Sequence, residues 1–123
     1  MKWVIDSERP IYRQLIEQIQ WRIVSGIYGP GDKLPSVRDL AAEAAVNPNT
    51  MQRALATLEQ SGLLHSRRTS GRFITEDEGM IEEIKHEMAM DEITVFLERM
   101  EKMGISRDEI VALIQKGTVR NDG

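Results

Sequence analysis

Between Leu34 and Gly62 the sequence holds two helix start signals, and only Ala45 and Val46 are left to turn the corner between the helices they open. Ser36 is the side-chain cap of the first helix, with Pro35 just ahead and Asp39 placed to complete a capping box. That helix is predicted to reach about Ala44 and to bury Val37, Leu40, Ala41 and Ala44, which recur at i, i+3 and i+4 spacing. Asn47 caps the second helix, and Pro48 takes its first position, where a missing N–H costs nothing. A step of about 100° per residue puts Pro48, Met51, Ala54, Leu55 and Leu58 on one side, which is the core side. Asn49, Arg53 and Ala56 point the other way, flanked by Gln52 and Thr57.

That outer face carries the groups that read base edges. Asparagine and glutamine amides pair bidentately with adenine, a guanidinium with guanine, and alanine can sit on a thymine methyl. A helix pair joined at a short corner, with its second helix polar outside, describes a helix-turn-helix. The less favoured reading of the same stretch is a hairpin in any small helical bundle whose outer face is polar for solubility.

The flanking sequence separates these readings. Met1 to Asp6 contains Trp3, Val4 and Ile5, an extended arm that covers some other surface. Pro10 opens a helix to about Ser25, closed by Gly26, with Tyr12, Leu15, Ile16, Ile19 and Ile23 as its apolar face. Trp21 lies on the opposite side, so a second burial surface is expected there, made by the arm, by the tail or by another chain. Residues 29–35, Gly-Pro-Gly-Asp-Lys-Leu-Pro, are turn chemistry with Leu34 as the apolar anchor. After Gly62, residues 63–68 read as a strand, Thr69-Ser70-Gly71 as a turn and residues 72–75 as the returning strand. Arg67, Arg68 and Arg72 crowd this tip with no acid among them, as suits a hairpin that reaches phosphates or a minor groove.

The charge looks wrong for such a role until it is divided. The chain carries −4, but residues 1–75 hold +3 and residues 76–123 hold −7, so the first part can approach phosphate while the second repels it. A length of 123 residues allows one domain with a modest core or a small domain with an appended element, and excludes a large enzyme. The absence of cysteine removes disulfides, thiolate metal sites and a cysteine nucleophile. No apolar run approaches the roughly 20 residues of a membrane span and no leader is evident, so the expectation is a cytoplasmic protein with no membrane partner.

Several of these segments together resemble the GntR family of bacterial winged-helix regulators, and its small YtrA-type subfamily in particular. The resemblance is carried by Pro10-Ile11-Tyr12, by residues 31–41, by residues 46–54 and by the close from Gly62-Leu63 to Gly71-Arg72-Phe73-Ile74. It covers about residues 10–75, with loop, helix and hairpin in order at matching spacing. It implies DNA contact by Arg38 at the start of one helix and by Asn49 and Thr50 on the next, with Gly71 as the wing-tip glycine. Many members place arginines where this chain has Pro48 and Gln52, and a glycine where it has Thr69, so base preference and turn shape are not carried over from the wider family.

The tail is read as helical from Glu76 to Met103, its opening acids Glu76, Asp77 and Glu78 suiting the positive end of the helix dipole better than a metal site. Ile81, Ile84, Met88 and Val95 share one face; Ile93, Phe96, Met100 and Met103 lie on a neighbouring one. The shift near Met90 and Asp91 calls for either a break or burial against two surfaces. Gly104 ends the helix, and Ser106 with Glu109 boxes a last one that turns Ile110, Leu113 and Ile114 inward before residues 116–123 fray. Such helices enclose no sizeable metabolite site, and methionines at helical spacing are more often packing than a ligand pocket.

The expected fold is therefore mainly α with a small β-hairpin: a winged helix-turn-helix domain over residues 1–75 and a helical dimerisation segment over residues 76–123. The expected function is a homodimeric transcription regulator, a repressor on a palindromic operator in double-stranded DNA. The DNA-facing set is Ser36, Arg38, Asn47, Asn49, Thr50, Gln52 and Arg53, with Arg67, Arg68, Ser70, Gly71 and Arg72 on the hairpin. No cofactor or metal is implied and no effector is assigned. The rival is a winged helix serving as a protein-interaction module. Catalysis is disfavoured because His65 falls in a hairpin strand, His86 on a polar helix face, and no nucleophile, base and orienting acid converge.

Overall fold

Seven elements follow the corner-and-hairpin plan in a computed structural model that describes residues 1–117. They are α1 (Ile11–Val24), α2 (Val37–Ala44), α3 (Pro48–Gln60), β1 (Leu64–Arg67), β2 (Gly71–Ile74), α4 (Glu78–Lys102) and α5 (Arg107–Gln115). Contacts divide the chain into two compact units, Met1–Lys85 and a second that begins at His86.

In the first unit the core lies where α1, α2 and α3 meet over the foot of the hairpin. Leu15 and Ile19 of α1, Leu40 of α2, and Met51, Ala54, Leu55 and Leu58 of α3 are buried together with Leu63, Leu64 and Ile74. Val37 and Ile16 are half-buried at its margin, and Ile81, Met80 and Ile84 of α4 pack on it. Every buried position on α3 was placed by helical periodicity, except that Pro48 is exposed. A first-turn residue stands clear of the core even when it shares the buried side's angle.

The corner is tighter than its residues advertise. Ala45 takes φ 56°, left-handed, while its N–H bonds Ala42 O at 3.2 Å and the Val46 N–H reaches back to Ala41 O at 3.0 Å. This is a Schellman ending with alanine where glycine is usual. Ser36 accepts from the Asp39 N–H at 3.1 Å, so one half of the expected capping box forms.

The arm is fastened through side-chain amides. Gln14, almost wholly buried, accepts from the Asp6 N–H at 2.9 Å and donates to Asp6 O at 2.8 Å and Arg9 O at 3.0 Å. Gln18 does the same for Val4, accepting from its N–H at 2.9 Å and donating to its carbonyl. Two glutamines one turn apart thus stand in for a neighbouring strand. Arg22 completes the strap, its guanidinium 3.7 Å from the Trp3 ring centre and donating to Met1 O at 3.1 Å. Of the covers expected for Trp21, the arm borders it through Met1, Lys2 and Val4 but leaves it 42% exposed within the chain.

Residues 29–35 do more than turn. Leu34 N–H donates to Arg72 O at 2.9 Å, Ile74 N–H to Asp32 O at 2.8 Å and Gly31 N–H to Ile74 O at 3.1 Å, with Lys33 bridged to Phe73. β2 is therefore paired on both edges, by β1 and by this loop, which fixes the hairpin to the body.

α4 starts at an Asx cap: Asp77 accepts from the Met80 N–H at 3.1 Å. Within the second unit the helix passes Met90 and Asp91 without a break. Gly104, at φ 78°, ends the turn that follows, and Ser106 with Glu109 forms both halves of a capping box for α5. Ile110 is buried as expected, whereas Leu113 and Ile114 are 42% and 57% exposed, a second correction. A single short helix has one buried line here, and these two side chains sit beside it. Of the expected fraying segment, residues 118–123 lie outside the described residues.

Candidate nucleic-acid interface

The rotation of α3 is set by its buried line, and that rotation decides what faces solvent. With Met51, Ala54, Leu55 and Leu58 sealed inside, Asn49, Gln52, Arg53, Ala56 and Thr57 are exposed and Thr50 is half-exposed. The Asn47 side chain is occupied in capping, accepting from the Asn49 N–H at 2.8 Å, and so holds the first turn of the presenting helix.

Asn49, Thr50 and Arg53 come together with Pro10, Ile11 and Tyr12 around a groove of about 620 Å³ between the starts of α1 and α3. The Arg53 guanidinium lies 3.7 Å from the centre of the Tyr12 ring, and that of Arg13 lies 5.8 Å from it. The Arg13 guanidinium beside the phenol, by hydrogen bonding and by charge, holds Tyr12 below the usual phenol range, with a smaller contribution from Arg53. Periodicity had assigned Tyr12 to the core stripe; it stands at the end of that stripe, where the ring can face a neighbouring helix.

A second groove, about 750 Å³, runs between the start of α2 and the hairpin. Ser36, Arg67, Ser70, Gly71 and Arg72 line it with Lys33, which the sequence reading did not single out. Asp39 is the carboxylate on its wall. The start of α2 adds the positive end of a helix dipole.

The three hairpin arginines are held differently. Arg68 is exposed at the tip. Arg67 is exposed too, but its guanidinium lies 4.5 Å from the centre of the Phe73 ring, on which His65 also stacks at 6.1 Å. Arg72 is half-buried and ion-paired through Nε with Glu59 near the end of α3, and Ser66 Oγ donates to the same carboxylate at 2.8 Å. Burial pushes the Glu59 carboxyl up, yet hydrogen bonds from Arg72 and Ser66 and the Arg72 charge outweigh it and hold the group below its ordinary value. The nearest acid in the sequence is Glu76, four residues on, but the one that pairs with Arg72 is Glu59 of the preceding helix.

The tip itself is unusual. Thr69 takes φ 68° and Gly71 φ 107°, and the Ser70 N–H donates to Arg67 O at 3.0 Å. A side chain on Gly71 would meet Lys33 Cε at 3.2 Å, so the glycine serves both backbone shape and the close passage of the loop. Arg38 and Gln52 are exposed but line neither groove.

Both faces lie in the part of the chain that matches known proteins. The profile described as "Bacterial regulatory proteins, gntR family" matches residues 11–74. An uncharacterized HTH-type transcriptional regulator of Bacillus subtilis, YhcF, is 38% identical over 112 residues, 91% of this chain and 93% of its own length. The HTH-type transcriptional repressor YtrA of the same organism is 45% identical over 71 residues, 58% of this chain and 55% of its own length. Among solved structures, a GntR family transcriptional regulator from Listeria monocytogenes superposes with a TM-score of 0.82 at 40% identity, covering 91% of this chain and 98% of that one.

Proposed function

The chain belongs to the GntR family of bacterial regulatory proteins, a DNA-binding helix-turn-helix transcription regulator, and from that premise we propose that it is a homodimeric repressor of the YtrA type acting on an inverted-repeat operator. The observation that carries the reading is the outer face of α3. Its amides and guanidinium are turned away from a sealed core, with Asn49, Thr50 and Arg53 lining a groove that contains no acid, while five of the hairpin and cap residues named above line the other groove.

In this reading Asn49, Thr50, Gln52 and Arg53 enter a major groove and meet base edges, while Ser36 and Arg38 at the start of α2 hold the adjoining phosphates. Asn47 presents the helix. Arg67, Arg68 and Ser70, with Gly71 shaping the turn, reach the flanking backbone, and Arg72 braces the hairpin against α3. Residues 1–75 serve DNA and residues 76–123 serve pairing. Support for pairing comes from the second unit, where Met90, Ile93, Phe96, Met103 and Ile114 remain exposed on α4, α5 and the turn between them. So much apolar surface on two acidic helices favours a second copy as its cover. Repression is supported by the name of the YtrA relative. Two copies would set their α3 helices about 34–36 Å apart, in successive major grooves.

The test is selection of bound sequences from a random duplex pool, followed by mobility shift at near-physiological salt and light scattering on the same sample. The expected result is a palindrome bound by two chains. A protein that binds no duplex in preference to another, or one that remains a single chain on its selected site, overturns the reading; the first outcome favours a protein-interaction module.

A further inference from the structure

Arg53 is the one guanidinium on α3, and among the described residues no carboxylate pairs with it. Its partner is an aromatic ring on another helix. We propose that Tyr12 of α1 is a positioning residue for base reading: its ring is the platform that holds Arg53 at the mouth of the α1–α3 groove, aimed at the edge of a guanine. This rests on the DNA-reading role proposed above for α3.

The geometry has three parts. The guanidinium carbon lies 3.7 Å over the ring centre, and no hydrogen bond or ion pair among the described residues engages its N–H groups. Guanine N7 and O6 present a matching pair of acceptors in the major groove. The platform is itself anchored, since Tyr12 is half-buried on a helix whose next turn, Leu15 and Ile16, is packed in or against the core. Finally, the groove is lined by Asn49, Thr50 and the apolar Pro10 and Ile11, with no acid, and Arg13 adds a second cation over the same ring. A mobile arginine would have to be immobilised by each base it met. One already stacked loses less freedom on binding, so the advantage goes to the base that fits its preset position.

The experiment compares wild type, Tyr12→Phe, Tyr12→Leu and Arg53→Ala, each titrated with the selected operator and with a scrambled duplex at one salt concentration. Leucine keeps apolar bulk and removes the ring; phenylalanine keeps the ring. Tyr12→Leu is expected to lower the operator-to-scrambled affinity ratio about 3- to 10-fold. Tyr12→Phe should restore it to about the wild-type ratio, and Tyr12→Leu should change little further in an Arg53→Ala background. A general loss of folded protein lowers both affinities alike and leaves the ratio alone. The inference is overturned if Tyr12→Leu keeps the wild-type ratio while Arg53→Ala reduces it, or if phenylalanine fails as badly as leucine. A wild-type protein with no preference between the duplexes would remove the underlying reading as well.

Discussion

Glu59, near the end of α3, accepts hydrogen bonds from Arg72 Nε and from Ser66 Oγ, and so ties both strands of the hairpin to the helix that precedes them. The pair is partly sheltered, with side chains 18% and 29% exposed for Arg72 and Glu59. A tie of this kind sets the angle between the hairpin tip and the outer face of α3, and therefore which phosphates the tip can reach.

Removing the carboxylate should loosen that angle and cost stability. Glu59→Ala is expected to destabilise by about 1–2 kcal/mol, since it leaves a half-buried guanidinium without its acceptor. The pH dependence follows from the lowered carboxyl pKa in the folded state. The stabilisation is present above the unfolded carboxyl value and is lost as pH falls through the lower folded one. Urea midpoints of wild type and Glu59→Gln should converge as pH falls through and below the ordinary carboxylate range. A gap that stays constant over that range would mean that the ion pair contributes nothing.

The corner between α2 and α3 makes the opposite prediction, a gain. Ala45 sits at φ 56°, where an L side chain crowds the following carbonyl and glycine does not. Ala45→Gly should stabilise the fold by roughly 0.5–1 kcal/mol, the relief at this position exceeding the added freedom of the unfolded chain. Ala45→Val should destabilise it. Thermal denaturation of the three proteins decides the order, and a glycine variant that melts below wild type would contradict the argument.

Gln14 is a buried amide whose side chain hydrogen-bonds the arm backbone of Asp6 and Arg9. Gln14→Leu keeps much of the volume but leaves those backbone groups unpaired, at a cost of about 1–3 kcal/mol. Amide hydrogen exchange should show the Asp6 N–H losing protection first, with α3 little changed. Equal loss across both segments would mean that the arm is integral to the core.

These devices also show where periodicity succeeds and where it stops. The buried lines of α2 and α3, the capping residues Ser36, Asn47 and Ser106, and the hairpin were all legible, because each depends on neighbours within a turn or two. Glu59 with Arg72, Tyr12 with Arg53, and Lys33 beside Gly71 were not, because each joins residues whose proximity is created only by the tertiary fold. The left-handed Ala45 was hidden for another reason. Sequence reading looks for glycine at such a place, and packing of Val46 and the two helices can hold alanine there instead.

The hairpin arginines should separate by how each is held. Arg68 is exposed at the tip with no ion-pair partner among the described residues, whereas Arg72 is engaged by Glu59. A lysine or arginine that neutralises one phosphate steepens the dependence of log affinity on log salt by about 0.9. Arg68→Ala should therefore weaken operator and scrambled duplex alike and make the slope shallower by about that amount, with the melting temperature unchanged. Arg72→Ala should do the reverse: a lower melting temperature, because the buried side of Glu59 loses its partner, and a smaller change in slope, because its charge is already matched within the protein. Salt titrations of both variants on one duplex, read beside their melting curves, test the division. Identical slopes for the two would show that the ion pair opens on DNA and that Arg72 contacts phosphate as fully as Arg68.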